Sequence, residues 1–165
     1  MKESLTINVS SNNAVYHYRC IETKKMSEVE VQKTAKLFTD HYGLWSAYAE
    51  TVNPKLRGHV KMSAEMIKRK IIDKADRYVA MAFDGERLIG HAFYLRRKNK
   101  RGHYITWILQ LVVDAEYRGN NIGTNLMRSI WELSDNWAWG LYTANPSTVK
   151  ALETATMRKV RISEI

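Results

Sequence analysis

The chain has 165 residues, of which 45% are hydrophobic and 26% are charged, as is ordinary for a globular protein with one domain. It contains no apolar run that approaches the ~20 residues of a membrane-spanning helix, and its N-terminus lacks an apolar signal core, so neither a membrane partner nor export is expected. Cys20 is the only cysteine, which excludes an internal disulfide and a cysteine-based metal cage and favours a cytoplasmic location.

The charge of the chain is strongly positive, since 26 Lys and Arg residues outnumber 17 Asp and Glu residues. A net charge of +9 attracts polyanions such as nucleic acid, acidic proteins or a phosphorylated cofactor. The same charge could instead only keep the protein in solution. Composition alone leaves these alternatives open.

The N-terminal residues predict a tail followed by the start of a single domain. Residues 1–13 are polar and predict a flexible tail, with some pairing around Leu5 to Val9. Residues 14–165 are predicted to form one domain. Within it, residues 14–21 alternate between apolar and polar side chains and predict a first strand.

Two helices are predicted next. Ser27 and Glu30 form a capping box, and an apolar stripe from Val29 to Trp45 predicts a helix behind it, with Gly43 as the alternative point where the helix ends or kinks. Residues 51–59 are basic and contain Pro and Gly, which is typical of a connection. Ser63 is the predicted N-cap of a second helix, whose inward residues are Ala64, Ile67 and Ile71.

Three strands are predicted in the middle of the chain. Residues 77–83 read as a strand, Asp84-Gly85 as a tight hairpin turn, and residues 87–96 as the returning strand. The basic run 96–102 is predicted to be a loop that leads into a third strand over residues 104–113. Such short connections predict an antiparallel meander.

The stretch from His103 to Thr124 organises the rest of the chain. Tyr104–Val113 is rich in β-branched and aromatic residues, as a central strand should be. Residues 114–117 make a turn, and Arg118–Gly123 opens a helix with two glycines. A glycine-containing turn at a helix N-terminus presents free N–H groups and the positive end of the helix dipole, so this stretch predicts a phosphate or pyrophosphate site.

The last part of the chain predicts a helix, a strand and another helix. The first helix has an apolar face of Ile122, Leu126, Ile130 and Leu133, and residues 137–144 form the strand. A right-handed crossover would place this strand parallel to residues 104–113. Asn145-Pro146 predicts the start of the last helix. The fold class is therefore α/β (mixed α+β): a central mixed sheet with an antiparallel meander and one parallel pair, flanked by about four helices.

The run Leu111–Thr124, with the order of elements over residues 14–157, resembles the GNAT family of acyl-CoA-dependent N-acetyltransferases. In that family an apolar strand end leads to Arg or Gln, two further residues, and then Gly-x-Gly or Gly-x-Ala before a helix. Arg118 and Gly123 match this pattern, and Asn121 stands in place of its first glycine. Asparagine tolerates left-handed backbone better than other non-glycine residues, so the turn can be kept.

The resemblance implies acetyl-CoA as the cofactor and assigns residues to it. The main chain of Leu111, Val112 and Val113 would pair with the pantetheine arm where the neighbouring strand splays away. Asn145 would touch the same arm, cap the last helix, or do both. The pyrophosphate would be held by Arg118, Gly119, Asn120, Asn121, Ile122, Gly123 and Thr124. No metal site is predicted.

The catalytic residues are less evident. Acetyl transfer to an amine needs a base for the amine proton and an acid for the thiolate, whereas no nucleophilic residue is required. The base candidates are Tyr104, His103 and Gln110 on the central strand, then His91 and Tyr94 on its neighbour; a water chain would need none of them. The family's usual helix tyrosine is Leu152 here, and Tyr142 is expected in a strand as core or wall.

The C-terminus is also shorter than the resemblance implies. The family has two more strands after the last helix, so the chain is predicted to be the N-terminal part of a longer protein or to receive these strands from another chain. An exposed sheet edge would favour a homodimer. Trp131, Trp137 and Trp139 are expected in the core rather than over that edge.

The sequence thus favours an N-acetyltransferase that transfers an acetyl group from acetyl-CoA to a primary amine of unidentified type. One alternative is a non-catalytic CoA-binding or regulatory module, as the missing tyrosine suggests. A second alternative is a nucleic-acid-binding protein that uses Arg96–Arg101 and the basic helix near Lys68. Solvation of that basic loop is the simpler interpretation, so nucleic acid is the less favoured partner.

Overall fold

The computed structural model describes residues 5–11, 14–130, 136–143 and 145–159. Its strands are β1 (Leu5–Ser11), β2 (Ala14–Glu22), β3 (Arg77–Asp84), β4 (Arg87–Lys98), β5 (Tyr104–Val113) and β6 (Asn136–Leu141). Its helices are α1 (Glu28–His41), α2 (Ala47–Val52), α3 (Ala64–Ile67), α4 (Ile122–Ile130) and α5 (Pro146–Thr156). Across these stretches, no helix combines the length and apolarity required to cross a membrane.

The six strands form one mixed sheet in their order along the chain, which confirms the predicted fold class. Each strand from β1 to β4 pairs antiparallel with the next, so the predicted meander is present. β5 and β6 pair in parallel, with Tyr104 opposite Asn136 and Ile108 opposite Leu141. The crossover through α4 therefore produces the parallel pair that the sequence predicts.

The prediction of a flexible tail over residues 1–13 is wrong for residues 5–11, which form a strand. Leu5–Ser11 forms β1 and pairs antiparallel with β2 over its whole length, from Leu5 opposite Cys20 to Ser11 opposite Ala14. The alternation of Leu5, Ile7 and Val9 supplies the two-residue period that a strand needs. The expected pairing around Leu5 to Val9 is thus confirmed and extends further.

The start of the first predicted helix is confirmed, and the helix ends close to Gly43, the earlier of its two predicted ends. The hydroxyl of Ser27 accepts from the Glu30 N–H at 3.3 Å, and the Glu30 carboxylate accepts from the Ser27 N–H at 2.8 Å, which completes the capping box. Val31 and Phe38 are buried, but Val29 is 62% exposed and the helix ends at His41 rather than Trp45. Val29 lies in the first turn, on the face away from the sheet.

The connection predicted over residues 51–59 begins with the end of a further short helix, α2, which has no buried residue. Ser63 caps α3 as predicted, because its hydroxyl accepts from the Met66 N–H at 3.2 Å. A π-helical turn over Lys68–Ile72 continues α3, and Ile67 and Ile71 are buried. The predicted second helix therefore corresponds to α3 and the π-turn together, whereas α2 is a further helix that the sequence did not predict.

The β3–β4 hairpin is confirmed, with Asp84 opposite Arg87 and Gly85 at φ +55° in the turn. The basic loop after it is shorter than predicted. Arg96–Lys98 belongs to β4, since Arg96 lies opposite Thr106 and Lys98 opposite Tyr104. Cross-strand pairing with β5 therefore extends through residues whose charge suggested a loop.

Both faces of the sheet are covered by helices. On one face, Ile89, Ile122 and Leu126 belong to a core between the sheet, α4 and α5. A Cβ atom at Gly90 would lie 3.1 Å from the side chains of Ile122 and Leu126, so glycine allows α4 to lie close to β4. On the other face, α1 and α3 pack on the sheet through a second core that includes Val31, Phe38, Ile67, Phe93 and Val112.

The C-terminal elements follow the predicted order with shorter bounds. Ile122, Leu126 and Ile130 are buried as predicted, whereas Leu133, Trp131 and the side chain of Trp137 lie outside the described residues. The last strand was predicted over residues 137–144. In the structure this strand, β6, runs from Asn136 to Leu141. Trp139 is half-buried against the α4–α5 core, with the Arg158 guanidinium 5.2 Å from its ring.

Candidate acyl-CoA site

The parallel strands β5 and β6 separate next to the glycine turn. Their register ends with Ile108 opposite Leu141, and the Tyr142 N–H donates to the Ile108 carbonyl at 3.2 Å. Within the described part of the chain, β5 continues alone on this side from Leu109 to Val113. The main chain of these residues consequently borders a gap, as the sequence predicted for Leu111, Val112 and Val113.

The turn after β5 adopts left-handed backbone at two positions. Gly119 has φ +86° and Asn121 has φ +59°, so asparagine takes the left-handed conformation in place of the family's glycine. The Asn125 N–H donates to the Asn121 carbonyl at 2.9 Å and begins the intrahelical bonds of α4. The N–H groups of Ile122, Gly123 and Thr124 therefore have no acceptor within the helix and can bind an anion.

Arg118 links this turn to the end of α1. Its Nη2 donates to the His41 carbonyl at 2.5 Å, and its Nε donates to the Val113 carbonyl at 3.2 Å. His41 makes a second connection, because its Nδ1 accepts from the Ala115 N–H at 3.1 Å. A guanidinium group has five N–H donors, so Arg118 can make these bonds and still contact an anion.

Asp114 holds the short 3-10 turn Ala115–Tyr117 in place. Its carboxylate accepts from the Glu116 N–H at 3.1 Å and from Arg87 at 2.8 Å. Burial alone would raise the pKa of Asp114, but the hydrogen bonds from Glu116 and Arg87 lower it below its ordinary value. The turn is also anchored to β3 by a bond of 2.8 Å from the Tyr117 hydroxyl to Asp84.

A cleft of about 390 Å³ lies between the end of β5, this turn and α5. We call it the turn cleft. Among its lining residues are all the predicted cofactor residues except Asn120: Leu111, Val112, Val113, Arg118, Gly119, Asn121, Ile122, Gly123, Thr124 and Asn145. The Asn145 side chain caps α5 by accepting from the Ser147 N–H at 2.9 Å.

A second opening of about 440 Å³ continues from the turn cleft along the edge of the sheet. The two share Tyr42, Leu111, Asn145 and Thr148 as lining residues. We call this second part the edge groove; its other walls are Leu44, Ile108, Gln110, Leu141, Tyr142, Thr143 and Pro146. A molecule in the turn cleft can therefore meet a second molecule in the edge groove.

Of the three base candidates predicted on the central strand, Tyr104, His103 and Gln110, only Gln110 lies at the edge groove. β5 contains a bulge at Leu109, since Phe93 lies opposite Gln110 and Tyr94 opposite Ile108. The Gln110 side chain is 8% exposed, and its Oε1 lies 2.8 Å from His91 Nε2. Bulges beside a site redirect side chains, and this one places Gln110 beside His91 on the α1 face of the sheet.

His91 is fully buried behind Gln110. Burial lowers the pKa of His91 to about 4, although the hydrogen bond with Gln110 acts in the opposite direction. The ring is consequently neutral at pH 7, and its Nδ1 has no hydrogen-bond partner among the described residues. The described residues also contain no group of three or more His, Cys, Asp or Glu side chains that could hold a metal ion.

The other base candidates lie elsewhere. Tyr104 begins β5, seven residues and about 23 Å of strand before Leu111, and its ring contacts the guanidinium of Arg96 at 4.5 Å. His103 precedes it in the loop, where its N–H donates to Asn99. Tyr94 is buried in the α4–α5 core and stacks on Tyr78 at 5.4 Å. The structure does not bring these three residues to either part of the cleft.

Several lining residues were not found from the sequence. Tyr142, which was expected in a strand as core or wall, follows β6 instead and is 84% exposed in the wall of the edge groove. Tyr42 and Leu44 line the groove from beyond α1, and Lys150 lines the turn cleft from α5. Leu152, at the family's tyrosine position, is 5% exposed in the core.

Comparison with known proteins gives a family for this chain. The model of the acetyltransferase (GNAT) family matches residues 36–153, which include every residue that lines the edge groove and all those of the turn cleft except Thr154. Among curated proteins, no sequence matches.

Solved structures share the fold at low sequence identity. A possible acetyltransferase from Clostridium difficile 630 is 13% identical, with a TM-score of 0.57 over 88% of this chain and 92% of that one. An aminoglycoside acetyltransferase from an uncultured soil metagenomic sample, in complex with trehalose, is 14% identical, with a TM-score of 0.56 over 89% and 91%. A ribosomal-protein-alanine N-acetyltransferase from Brucella melitensis biovar Abortus 2308 is 11% identical, with a TM-score of 0.55 over 89% and 93%. The chain belongs to the GNAT family of acetyltransferases.

Proposed function

We propose that this protein transfers an acetyl group from acetyl-CoA to a primary amine. The observation that carries the proposal is the separation of β5 and β6 beside the glycine turn, which opens the turn cleft and joins it to the edge groove. A two-part cleft of this kind suits a reaction between a bound cofactor and a second substrate.

The residues of the turn cleft fit the chemistry of CoA. Free N–H groups at the start of α4, with the cations of Arg118 and Lys150, suit the pyrophosphate and other phosphate oxygens. The free edge of β5 over Leu109–Val113 suits the amide groups of pantetheine, which hydrogen-bond as an added strand would. The Val113 carbonyl is already used by Arg118, so we assign this pairing mainly to the residues before it.

The thioester of acetyl-CoA supplies an activated acyl carbon. In the proposed reaction the amine nitrogen attacks that carbon, a C–N bond forms and the C–S bond breaks. The amine loses a proton and the departing thiolate gains one, so no residue has to form a covalent intermediate. Gln110 and Tyr142 are our candidates for contacting the reacting groups because both line the edge groove. Tyr104 and His103 stay predictions from the sequence.

One observation favours a second candidate function. Leu152 is buried in the core at the position where the family often has a tyrosine acid, which suits a module that binds CoA without catalysis. Nucleic-acid binding is less favoured, since Arg96 and Lys98 contact the Tyr104 ring and Lys68 pairs with Glu28 at 2.6 Å. The cytoplasmic location, the homodimer and the additional C-terminal strands stay predictions.

Thermal unfolding with and without acetyl-CoA tests the cofactor assignment. At a ligand concentration 100 times the Kd, binding adds about 2.7 kcal/mol, which raises the Tm of a chain of this size by about 5–10 °C. An unchanged Tm at millimolar acetyl-CoA, in a preparation that also shows no binding by calorimetry, would contradict the proposal.

Release of free CoA thiol in the presence of an amine panel then separates an enzyme from a binding module. The assay uses the Cys20→Ala variant, so that the only cysteine of the chain does not react with the thiol reagent. Amine-dependent release supports catalysis. A Tm shift by acetyl-CoA without release from any amine supports the non-catalytic module.

A further inference from the structure

Three exposed apolar side chains line the edge groove, and three more are exposed in the chain segment that follows α1. Within residues 42–52, the exposed large hydrophobic residues are Tyr42, Leu44, Trp45, Tyr48 and Val52, and Tyr142 is exposed on the opposite wall. Leu44 is 67% exposed and Tyr142 is 84% exposed. Soluble proteins rarely expose such a group of neighbouring apolar side chains unless it binds something.

The structure holds this apolar segment in place. The ring of Tyr42 stacks on the buried Phe38 at 4.2 Å, so it is anchored to the core of the domain. Leu44 forms a β-bridge with His59, and the Trp45 N–H donates to the Gly58 carbonyl at 2.9 Å. Because these contacts fix the main chain on both sides, the exposed apolar surface belongs to the folded structure.

The strand-like segment that pairs with this wall is basic. Arg57 and Lys61 lie two residues on either side of His59, the bridge partner of Leu44, and their side chains lie at the surface. None of the described residues that line the edge groove carries a charge. Cations beside an apolar groove repel a ligand with several positive charges, while an uncharged apolar body is attracted by burial of its surface.

We propose that the acceptor bound in the edge groove is a primary amine on an apolar, aromatic body, such as 2-phenylethylamine or tryptamine, rather than a polyamine or an aminoglycoside. Tyr42, Leu44 and Tyr142 would contact the aromatic body, and the amine would lie towards the shared boundary with the turn cleft. This inference rests on the proposed transfer from acetyl-CoA and assigns the class of its second substrate.

The test compares 2-phenylethylamine and tryptamine with spermidine and sisomicin in the thiol-release assay at saturating acetyl-CoA. We expect kcat/KM to be at least about ten-fold higher for the two aromatic amines, as is common for differences in apolar contact. Equal values, or a preference for the polycations, would overturn the inference while leaving the proposed acetyl transfer intact.

If no amine releases thiol, the proposed function is wrong, and binding still decides the specificity of the groove. Ligand-observed NMR on the full chain with CoA present would then compare 2-phenylethylamine with spermidine. Selective binding of the aromatic amine supports the inference. Equal binding, preference for spermidine or no binding of either overturns it.

A charge placed in the wall gives a second measurement. Leu44→Asp should lower kcat/KM for 2-phenylethylamine by about ten-fold and raise it for spermidine, because a carboxylate replaces apolar contact. Val29→Asp is the matched control: Val29 is 62% exposed in the first turn of α1, about 18 Å along the helix from His41. A similar change in both variants would contradict the assigned role of Leu44.

Discussion

The guanidinium group of Arg118 donates a hydrogen bond of 2.5 Å to the main-chain carbonyl of His41, the last residue of α1. The same group donates to the Val113 carbonyl at the end of β5. One side chain therefore joins α1, β5 and the start of the glycine turn at the mouth of the turn cleft. Arg118 has a structural role in addition to the anion contact that the sequence predicted.

This double role makes the effect of replacing Arg118 measurable in two ways. Arg118→Ala should weaken acetyl-CoA binding about ten-fold, because hydrogen bonds to charged groups contribute about 1.5–3 kcal/mol, and should also lower the free energy of unfolding by about 1–2 kcal/mol. Calorimetric titration and urea unfolding measure the two effects. Arg101→Ala, in the exposed β4–β5 loop, is the control and should change neither.

Side-chain size at Gly123 should control access to the turn cleft. A Cβ atom there would lie 3.5 Å from Leu111 and 3.9 Å from Ala151, which is ordinary contact, so Gly123→Ala should fold and keep acetyl-CoA binding. Gly123→Phe should fold but extend its ring into the cleft and abolish the Tm shift by acetyl-CoA. A normal shift in the Gly123→Phe variant would argue against CoA in this cleft.

The buried His91 should make stability depend on pH. Because burial lowers its pKa to about 4, the unfolded chain binds a proton between pH 6.5 and pH 4 that the folded protein does not bind. The contribution of His91 to the free energy of unfolding is therefore constant above pH 6.5 and decreases as the pH falls below that value. Near pH 4 it is about 3 kcal/mol lower than at neutral pH.

Urea unfolding at several pH values, with His91→Gln beside the natural sequence, measures this contribution. The variant should lose less stability between pH 6.5 and pH 4, since it has no imidazole to titrate. Parallel curves for the natural protein and His91→Gln would show that His91 is not buried as described.

Gly140 should tolerate no side chain while Trp107 is present. The two residues lie opposite each other in β6 and β5, and a Cβ atom at Gly140 would overlap the indole ring of Trp107. Gly140→Ala should lower the free energy of unfolding by about 1–3 kcal/mol, as other overpacked sites do. The same substitution in a Trp107→Ala background should cost much less; an equal cost would exclude the ring as the cause.

The cap of α5 offers a stabilising change. Met157 has φ +55°, a left-handed conformation that costs a non-glycine residue about 1–2 kcal/mol, and its side chain is 90% exposed. Met157→Gly should therefore raise the free energy of unfolding by about 1 kcal/mol. Met157→Ala keeps a Cβ atom and should not produce this gain, so a gain in both variants would point to another cause.

The sequence by itself determined the features that depend on near neighbours in the chain. The capping box of Ser27 and Glu30, the cap at Asn145, the glycine turn and the bounds of β5 were all predicted, because each arises from residues a few positions apart. Chain order and the handedness of the crossover also determined that β5 and β6 lie in parallel.

Only the tertiary structure decided which distant residues meet. Arg118 and His41 are 77 positions apart, and the pairing of His91 with Gln110 depends on a bulge that no sequence signal marked. Leu44 was expected near the end of the first helix and Tyr142 in a strand, yet both line the edge groove. Contacts of this kind depend on how the sheet and helices pack together, and local residue preferences contain little information about that packing.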